Sequence, residues 1–396
     1  MCEDREVYIV GACRTPIGHF LGGLKNQSAV DLGGVVIREA AVRAGVNPGD
    51  VEEIIMGVSS PAGLGPAPAK RAAIQAGFSW SVNGFVVNQG CGSGLTAVSL
   101  AARAIRSEER HIVAAVGAES MSRAPHVLAG AREGGLFGDL ILRDSLLLDG
   151  LWCAFEDVPM GQAAEVAAAK HGISRQDQDA FAHRSHLRAA KAVDRGYFRD
   201  EIVPVECPSS DGRPTLVSAD EGPRRDLTPE KMAQYPAAFK KDGTVTAANA
   251  SSLSDGAASL VLASDEAVKD KGLKPLARLV LTATAGWEPS LALDAPRAAV
   301  EKVVAEAGWK MAEVDLFEIN EIFAVQPLLL IKALRLDGDR VNVHGGALAL
   351  GDPVGAGGAR ILTTLLYALR HRGLRKGVAA LCLAGGDGLA AAVEMV

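Results

Sequence analysis

Short apolar runs rich in valine and isoleucine alternate with longer alanine-rich stretches over the first 120 residues. The runs predict buried strands, and the stretches predict helices because their apolar residues recur at helical spacing. We predict strands at residues 7–10, 51–58, 84–88 and 111–116, and helices at residues 29–45, 70–77 and 94–107. Strands that alternate with helices indicate an α/β protein with helices on the faces of a sheet.

The pattern changes between about residues 119 and 249, where Arg, Asp, Glu, Gln and Pro are frequent. A long polar helix is predicted at residues 175–195, and we interpret its charges as a solvated face. The segment is therefore expected to lie over the core as an insertion. Strand patterns return at residues 259–262 and 277–281, and a second series of strands and helices follows to the end.

The two series resemble each other. The first contains VNGFVVNQGCGSGLTAVSLAARAI and the second contains VDLFEINEIFAVQPLLLIKAL. In each, a strand ends in asparagine and a tight turn leads into an apolar helix, so that Asn88 and Asn320 occupy matching places. We interpret this as a weak internal duplication, which predicts two similar half-domains.

The amino-acid composition and net charge narrow the range of possible functions. The chain has 396 residues, of which 48% are hydrophobic and 22% are charged, as in globular proteins with a large core. The formal net charge of −6 argues against a broad nucleic-acid surface. It leaves room for a local basic pocket that binds one phosphorylated ligand.

Targeting and redox features favour a cytoplasmic protein. The opening MCEDREVYIVGA carries charges where a signal peptide is apolar, and no apolar run reaches the roughly 18 residues of a membrane span. The six cysteines are scattered without CxxC spacing, which predicts neither a disulfide framework nor a zinc site. We therefore expect a reducing compartment and no membrane partner.

Cys91 is the first candidate for chemistry. It follows the predicted strand GFVVN, lies in the turn QGCGSG and precedes an apolar helix. A helix N-terminus offers unpaired N–H groups and a positive dipole end, which favour the nucleophilic thiolate. The alternative is a buried structural cysteine, but the Gly-flanked turn between strand and helix favours a nucleophile.

Three further motifs are polar or glycine-rich at strand ends. Cys382 lies in LCLAGGDG, and Asn320 lies in EINEIFA, where an Asx turn or a helix cap is the alternative role. The segment NVHGGALALGDPVGAGGAR lacks the Lys-Ser/Thr of a phosphate-binding P-loop. The carboxyl ends of strands are where α/β proteins bind ligands, so these motifs are candidates for one site.

Together these motifs resemble the thiolase family over essentially the whole chain. The family's signatures stand in order as NQGCGSGLTAV, NEIFA, NVHGGALALGDPVGAGGAR and CLAGGDG, with RTPIG, GAESMSRAP, DGLW and DGTVTAANASSLSDGAA as weaker matches. The resemblance implies the thiolase fold, an α/β fold of two similar halves in five αβαβα layers with an inserted loop domain. It divides the chain into residues 1–119 plus 250–270, a loop domain for coenzyme A binding and oligomerisation at 120–249, and residues 271–396.

The resemblance also implies a reaction. Cys91 accepts an acyl group from an acyl-CoA, and Cys382 moves the proton at the substrate α-carbon, which gives Claisen condensation or the reverse thiolysis in fatty acid metabolism. One oxyanion hole consists of a water held by Asn320 and the histidine of a Gly-His-Pro motif. The other consists of the N–H groups of Cys91 and Ala384. Coenzyme A thioesters are substrates, no metal or covalent cofactor is implied, and a homodimer or homotetramer is expected.

The sequence departs from the family at one catalytic position. Asp352 stands where the family has the histidine of Gly-His-Pro. An ionised aspartate cannot donate a hydrogen bond to an oxyanion, and its charge is expected to raise the pKa of Cys91. A protonated Asp352 could donate if burial raised its pKa. His344, eight residues earlier, is a second candidate donor, with an ordinary loop histidine as the alternative.

The substrate-binding positions also follow from the resemblance. Arg224 matches a residue at the adenine-nucleotide end of coenzyme A, and Ser251 matches one that contacts pantetheine. Pro159 replaces a histidine found near pantetheine in many biosynthetic members, and Ala384 replaces a glycine. The matches to the apolar tunnel walls, for which packing within the loop domain is the alternative role, are Leu151, Met160, Phe239, Ala247, Leu253 and Phe323.

Three functional hypotheses remain open from the sequence. The first is an acyl-CoA acyltransferase of thiolase type, with activity weakened or altered by Asp352. The second is a thiolase-fold protein limited to acyl transfer or thioester hydrolysis. The third is a non-catalytic coenzyme A-binding subunit of an active partner. The two cysteines favour the first two, and Asp352 favours the last two.

Overall fold

The computed structural model describes residues 5–134, 137–208 and 213–396, so Cys2 lies outside the described residues. The described part contains sixteen strands: β1 (Val7–Arg14), β2 (Gly18–His19), β3 (Glu53–Gly57), β4 (Asn83–Val87), β5 (Ile112–Ser120), β6 (His126–Leu128), β7 (Leu142–Asp144), β8 (Trp152–Cys153), β9 (Val158–Pro159), β10 (Val205–Cys207), β11 (Thr215–Val217), β12 (Ser254–Ser264), β13 (Ala277–Gly286), β14 (Leu316–Ile319), β15 (Lys376–Cys382) and β16 (Asp387–Met395).

The same residues contain eleven α-helices: α1 (Ala29–Ala44), α2 (Pro68–Gln75), α3 (Ser93–Arg106), α4 (Met160–His171), α5 (Arg175–Asp194), α6 (Pro229–Ala233), α7 (Asp265–Lys271), α8 (Ala295–Glu306), α9 (Val325–Leu334), α10 (Ala347–Leu350) and α11 (Gly357–Arg372). Among them, none is both long and apolar enough to cross a membrane.

The predicted strands and helices of the first 120 residues are confirmed, but two strands, β1 and β5, extend further than their apolar runs. β5 continues through Glu119 and Ser120, although both are polar, because both are buried. The Glu119 carboxylate accepts hydrogen bonds from the N–H groups of Ser59 and Gly355, at 2.9 and 3.0 Å. A polar residue with such hydrogen-bond partners can continue a buried strand, because the hydrogen bonds offset most of the free energy of burying it.

Nine strands form the main path of one large sheet, in the order β14-β15-β16-β13-β1-β12-β5-β3-β4, and β2 pairs with β12. The pairs β3–β4, β3–β5 and β14–β15 are parallel, and the others are antiparallel. The two halves of the sheet meet at β1 and β13, which pair through Tyr8 with Arg278 and Ile9 with Ala277.

Helices lie on both faces and between the two halves of the sheet, which gives the five predicted layers. α1 and α2 cover the outer face of the first half, with a core that includes Val36, Ile54 and Val116. α3 and α11 lie between the halves and contribute Val98 and Leu365 to a shared core. α8 covers the outer face of the second half.

The duplication is visible in the topology, but it pairs different asparagines from those we predicted. β3 lies between β4 and β5, and β14 lies between β15 and a parallel bridge from Phe317 to Val341. β14 is therefore the counterpart of β3, and the segment at Val341 is the counterpart of β4. Asn88, which follows β4, consequently matches Asn342 rather than Asn320. A strand that ends in asparagine before a turn is too common a pattern to fix the correspondence.

The inserted segment contributes no strand to the large sheet in the described part of residues 121–253. Its strands form three two-stranded ribbons, β6–β7, β8–β9 and β10–β11, and its main helices are α4 and α5. α5 begins at a capping box in which Ser174 and Asp177 satisfy each other's N–H groups. Its helices α4 and α5 pack across α9 and α10, over the second half of the sheet, whereas Val205 and Cys207 of β10 pack into the core of the first half.

Candidate active site

α3 and α11 pass each other at their first turns without side chains between them. A Cβ atom at Gly94 would lie 2.9 Å from the Ala359 nitrogen, and one at Gly358 would lie 2.5 Å from the Leu95 nitrogen. Any larger residue would therefore force the helices apart. The crossing brings together the two loops that precede the helices, and with them Cys91 and Asp352.

The loop that holds Cys91 is fixed by short polar contacts. Ser93 Oγ accepts a hydrogen bond from the Gln89 N–H at 2.9 Å and donates one to the Gly90 carbonyl at 2.6 Å. Gly92 lies against Leu383, because a Cβ atom there would come within 1.7 Å of the Leu383 side chain. The turn QGCGSG is thereby held against the strand end that carries Cys382.

Cys91 lies at the junction of two cavities. The smaller, about 150 Å³, is lined by Cys91, Asp352 and mostly apolar side chains. The larger, about 460 Å³, is lined by Cys91, Cys382 and the Gly-rich turn after Cys382. Both cavities share Leu151, Met160, Ile322 and Phe323. The structure therefore brings both predicted catalytic cysteines to one continuous space.

Asn320 and Asp352 bond to each other. The Asn320 Nδ2 group donates a hydrogen bond to Asp352 Oδ2 at 3.1 Å, and both residues are buried. The second oxygen, Asp352 Oδ1, has no hydrogen-bond partner among the described residues. The amide that the sequence predicted to hold a water is thus directed to the carboxylate. No motif along the chain predicted this contact.

Electrostatics at the junction oppose a thiolate. Burial raises the pKa of Cys91 well above its usual range, and Cys382 and Asp352 raise it further. Burial raises the pKa of Cys382 to about 12, and Asp352 acts in the same direction. Burial also raises the pKa of Asp352, while the charge of Arg360 and the hydrogen bond from Asn320 lower it.

Arg360 is the buried cation of the site. It lies in the first turns of α11 and is 2% exposed. Its Nη1 atom is 3.9 Å from Glu318 Oε2, and its Nη2 atom donates to Asn320 Oδ1 at 3.5 Å. One guanidinium therefore faces Glu318 and the Asn320–Asp352 pair together, and it supplies the positive charge that the buried carboxyl groups require.

The backbone near Cys382 lies beside the Cys91 loop. A Cβ atom at Gly90 would lie 3.3 Å from the Ala384 nitrogen, so the peptide groups of the two loops are adjacent. Gln326, oriented so that its amide donates to the Asn320 carbonyl at 3.0 Å, accepts the Cys382 N–H at 3.3 Å. Gln326 was absent from the sequence predictions, because a glutamine on an apolar helix carries no distinctive motif.

His344 lies away from Cys91. The structure therefore corrects the prediction that His344 is a candidate hydrogen-bond donor to the oxyanion. Its ring stacks on Tyr197 at 4.9 Å and packs edge-on to Phe198 at 6.1 Å. It lines a separate cavity with Arg188 and Arg372. Residues 342–346 turn away from the site before the loop returns at Asp352, so proximity along the chain did not predict proximity in space.

Most of the predicted tunnel residues line the two cavities. Phe239 and Phe323 meet edge to face at 6.0 Å, and both face the smaller cavity. Ala247 lines neither cavity and is exposed. The predicted residues that do line a cavity are Leu151, Met160, Phe239, Ser251, Leu253 and Phe323.

Arg224 lies outside both cavities, on the inserted segment. Its Nη1 atom donates to the Tyr235 hydroxyl at 3.1 Å, and its backbone N–H donates to His186 Nδ1 at 3.1 Å. The guanidinium stands 6.0 Å from the Tyr235 ring centre. An arginine beside an aromatic ring has the donors and the stacking surface that a nucleotide requires.

Sequence reasoning missed most of the wall formed by the β8–β9 ribbon. Trp152, Cys153 and Phe155 line the larger cavity together with Pro289. Trp152 and Phe155 are exposed, which is unusual for large apolar residues beside a cavity. The motif DGLW marked the start of this wall. Among the described residues, no group of three or more His, Cys, Asp or Glu side chains is placed to hold a metal ion.

Comparison with known proteins identifies one family. A model of the thiolase N-terminal domain matches residues 7–266, and a model of the thiolase C-terminal domain matches residues 273–395. The acetyl-CoA acetyltransferase of Allochromatium vinosum is 44% identical over 391 residues, which cover 99% of each chain. That of Chromobacterium violaceum is 47% identical over 389 residues, which cover 98% of this chain and 99% of the relative.

Solved structures give the same result for the fold. The crystal structure of the Bacillus anthracis acetyl-CoA acetyltransferase has a TM-score of 0.98 and 41% identity over the full length of both chains. Human mitochondrial 3-ketoacyl-CoA thiolase has a TM-score of 0.96 and 37% identity over 99% of both chains. The same human enzyme has also been solved in complex with CoA. The predicted fold class is therefore confirmed.

We predict that removing the charge of Asp352 makes Cys91 more reactive. Asp352→Asn keeps the shape of the side chain and removes a negative charge that raises the pKa of the thiol. Below that pKa, each unit of decrease raises the thiolate fraction about tenfold. The rate of iodoacetamide labelling at Cys91, mapped by mass spectrometry at several pH values, should rise several-fold at pH 8.

Two controls accompany this measurement. Asp149→Asn removes an exposed carboxylate that lines the larger cavity, and its labelling rate should match that of the unaltered chain. Cys91→Ala should lose the label at this position. Equal labelling rates in Asp352→Asn and the unaltered chain would show that Asp352 does not act on the thiol.

Proposed function

The chain belongs to the thiolase family, and we infer that it is an acyl-CoA acyltransferase that works through an acyl thioester on Cys91. The observation that carries this inference is that Cys91 and Cys382 line one cavity, with Cys91 in the loop before α3. Two cysteines at one cavity suit the two halves of the reaction, which are acyl transfer and proton transfer at carbon. The substrates are acyl-CoA and 3-ketoacyl-CoA thioesters.

The first half of the reaction forms the acyl-enzyme. The Cys91 thiol gives up its proton and its sulfur attacks the thioester carbonyl. The bond from that carbonyl to the coenzyme A sulfur breaks, and coenzyme A takes up a proton and leaves as its thiol. The oxyanion that develops is bound by the N–H groups of Cys91 and Ala384, whose loops are adjacent. The N-terminus of α3 adds its positive dipole end at the same place.

The second half of the reaction makes or breaks a carbon–carbon bond. In condensation, the Cys382 thiolate takes a proton from the α-carbon of a second acyl-CoA, the carbanion attacks the acyl-Cys91 carbonyl, and the Cys91 sulfur leaves as the thioester bond breaks. In thiolysis, the Cys91 sulfur attacks the 3-keto carbonyl, the carbon–carbon bond breaks, and Cys382 gives its proton to the departing carbon. A thiol held at a pKa of about 12 by burial lies closer in basicity to a thioester α-carbon than an ordinary thiol does.

Asp352 alters the second half of the reaction in particular. Its carboxylate accepts the Asn320 amide proton at 3.1 Å, so it competes with any oxygen that Asn320 would otherwise bind. Burial raises the pKa of Asp352, which increases the population of its protonated form. The site therefore keeps the sulfur atoms of Cys91 and Cys382, while the oxyanion hole proposed at Asn320 is changed.

Coenzyme A is proposed to enter along the smaller cavity. Its pantetheine arm would lie against Ser251, Leu253 and Phe239, which line that cavity. Arg224 and Tyr235 would contact the adenine nucleotide, since they lie together on the inserted segment. Residues 120–249 would accordingly form the loop domain, between a first half of residues 1–119 plus 250–270 and a second half of residues 271–396.

A reducing compartment suits this chemistry, and we propose the cytoplasm. Cys91 must remain a thiol to accept an acyl group, and Cys382 shares its cavity. In an oxidising compartment such thiols would form disulfides with each other or with small thiols.

We expect Cys91 to become acylated. Incubation with acetyl-CoA should add one acetyl group to the intact mass, because the sulfur faces a cavity and two oxyanion donors. Peptide mapping should place the group on Cys91, and Cys91→Ala should show no addition. Cys382→Ala serves as the matched thiol control and should still label. No labelling between pH 7 and pH 10 would contradict the proposed function.

We further expect Asp352→His to increase thiolysis of acetoacetyl-CoA by at least about tenfold, because loss of one oxyanion donor typically costs about 100- to 1,000-fold in rate. The substitution removes the carboxylate that occupies Asn320 and adds a donor. The loss of acetoacetyl-CoA absorbance measures the rate. Asp352→Asn separates loss of charge from gain of imidazole. Unchanged or lower activity in Asp352→His would show that the site depends on the carboxyl group.

A homo-oligomer is also proposed, with β4 at the interface. β4 is the edge strand of the large sheet, and it exposes 44% of Phe85, close to the 79% exposed Trp80. An edge strand with exposed aromatic residues favours pairing with a second copy. Light scattering should give at least twice the mass of one chain. Phe85→Asp should lower this mass, whereas Val42→Asp, at an exposed apolar residue on α1, should not.

A further inference from the structure

A cationic cavity lies between the C-terminal ends of α5 and α11. It has a volume of about 350 Å³, and its walls include four cationic side chains and one acidic side chain. This is a local excess of positive charge on a chain whose net charge is −6. The lining residues of interest are Arg188, Lys191, Arg195, Arg372, Asp339 and His344.

Asp339, the acidic residue among the described residues that line this cavity, is already paired. Asp339 accepts a hydrogen bond from Arg188 Nη2 at 2.7 Å, and Arg188 Nη1 donates to the Val341 carbonyl at 2.6 Å. The side chains of Lys191 and Arg372 make no hydrogen bond or ion pair within the described residues. Two positive charges at the cavity are therefore without a partner of opposite sign.

Within the described part of the chain, these cations make no direct hydrogen bond to the carbonyl groups at the ends of their helices. Cations are common at helix C-termini because they interact with the terminal carbonyl groups. At α11, however, the Gly373 and Leu374 N–H groups bond the Arg370 and Leu369 carbonyls, and the guanidinium of Arg372 bonds neither. At α5 the Arg195 N–H bonds the Lys191 carbonyl, and among the described residues the Lys191 ammonium bonds no carbonyl group.

His344 is a buried polar residue in the wall of the cavity. It is 2% exposed, and its Nε2 atom has no hydrogen-bond partner among the described residues. Burial, together with the charges of Arg372 and His371, lowers the pKa of His344 to about 3. The ring is therefore neutral at physiological pH and carries one N–H donor, held in place by stacking on Tyr197.

We propose that this cavity binds a phosphate group, through Lys191, Arg195 and Arg372 at its mouth and His344 in its wall. The volume lies in the range of small-ligand sites and admits inorganic phosphate or a small phosphate monoester. Lysine and arginine are the side chains that bind phosphate most strongly, and unpaired cations lose no existing ion pair when they do so.

This site is distinct from the proposed coenzyme A site. The cationic cavity shares no lining residue with the two cavities at Cys91. Arg224 bonds His186, which is two residues from Arg188 on α5 and so about 200° around the helix. The helix therefore lies between Arg224 and the cationic cavity.

Isothermal titration calorimetry in a buffer without phosphate tests the proposal. Inorganic phosphate forms one arm and glucose 6-phosphate the other, with sodium chloride at equal ionic strength as the reference. Binding of either compound supports the site, and the tighter one identifies the source of the phosphate. Lys191→Ala combined with Arg372→Ala should weaken that binding at least tenfold, because it removes both unpaired charges.

Matched variants separate this site from general charge effects. Lys25→Ala combined with Lys274→Ala removes two exposed charges elsewhere and should leave the affinity unchanged, as should Arg224→Ala. His344→Phe keeps the stacked ring, removes the donor and should weaken binding several-fold. If His344→Phe does not fold, the Lys191 and Arg372 variant decides alone. Absence of phosphate binding, or equal affinity in the Lys191 and Arg372 variant, would overturn the proposal.

Discussion

The contact between the first turns of α3 and α11 is the constraint on which the candidate active site depends. Glycine at Gly94 and Gly358 lets the two backbones touch, and each helix begins just after a loop that carries a functional side chain. Cys91 precedes α3 and Asp352 precedes α11. The duplicated halves are therefore joined where the N-termini of two helices converge.

The convergence of two helix N-termini has two opposite effects on negative charge at the site. Helix N-termini favour anions, whereas burial between two half-sheets disfavours every charge. Raised pKa values of Cys91, Cys382 and Asp352 show that burial prevails. Arg360 is the nearby countercharge, and Glu318 already faces it at 3.9 Å. Asp352 thus adds an acid to a region with one cation, and its hydrogen bond from Asn320 is the remaining compensation.

Patterns along the chain predicted the architecture well, because alternating strands and helices with this burial have few arrangements. They also predicted that Cys91 and Cys382 belong to one site, since both follow strands and precede glycine-rich turns. They did not predict which side chains touch. The Asn320–Asp352 bond and the displacement of His344 depend on how a loop turns in space. The match of Asn88 to Asn342 depends on strand order, which no local motif records.

The two proposed oxyanion sites are expected to respond differently to Asp352, and this difference would separate the steps of the reaction. The donors proposed for the acyl-enzyme are backbone N–H groups at Cys91 and Ala384, which a side-chain substitution leaves in place. Asn320 is proposed for the other oxyanion site, and its amide already donates to Asp352 at 3.1 Å. A backbone donor cannot be turned away by a neighbouring carboxylate as a side-chain amide can. On this proposal, Asp352 acts on acyl loading mainly through the pKa of Cys91. It acts on the carbon–carbon step both through its charge and through the hydrogen bond that it takes from Asn320.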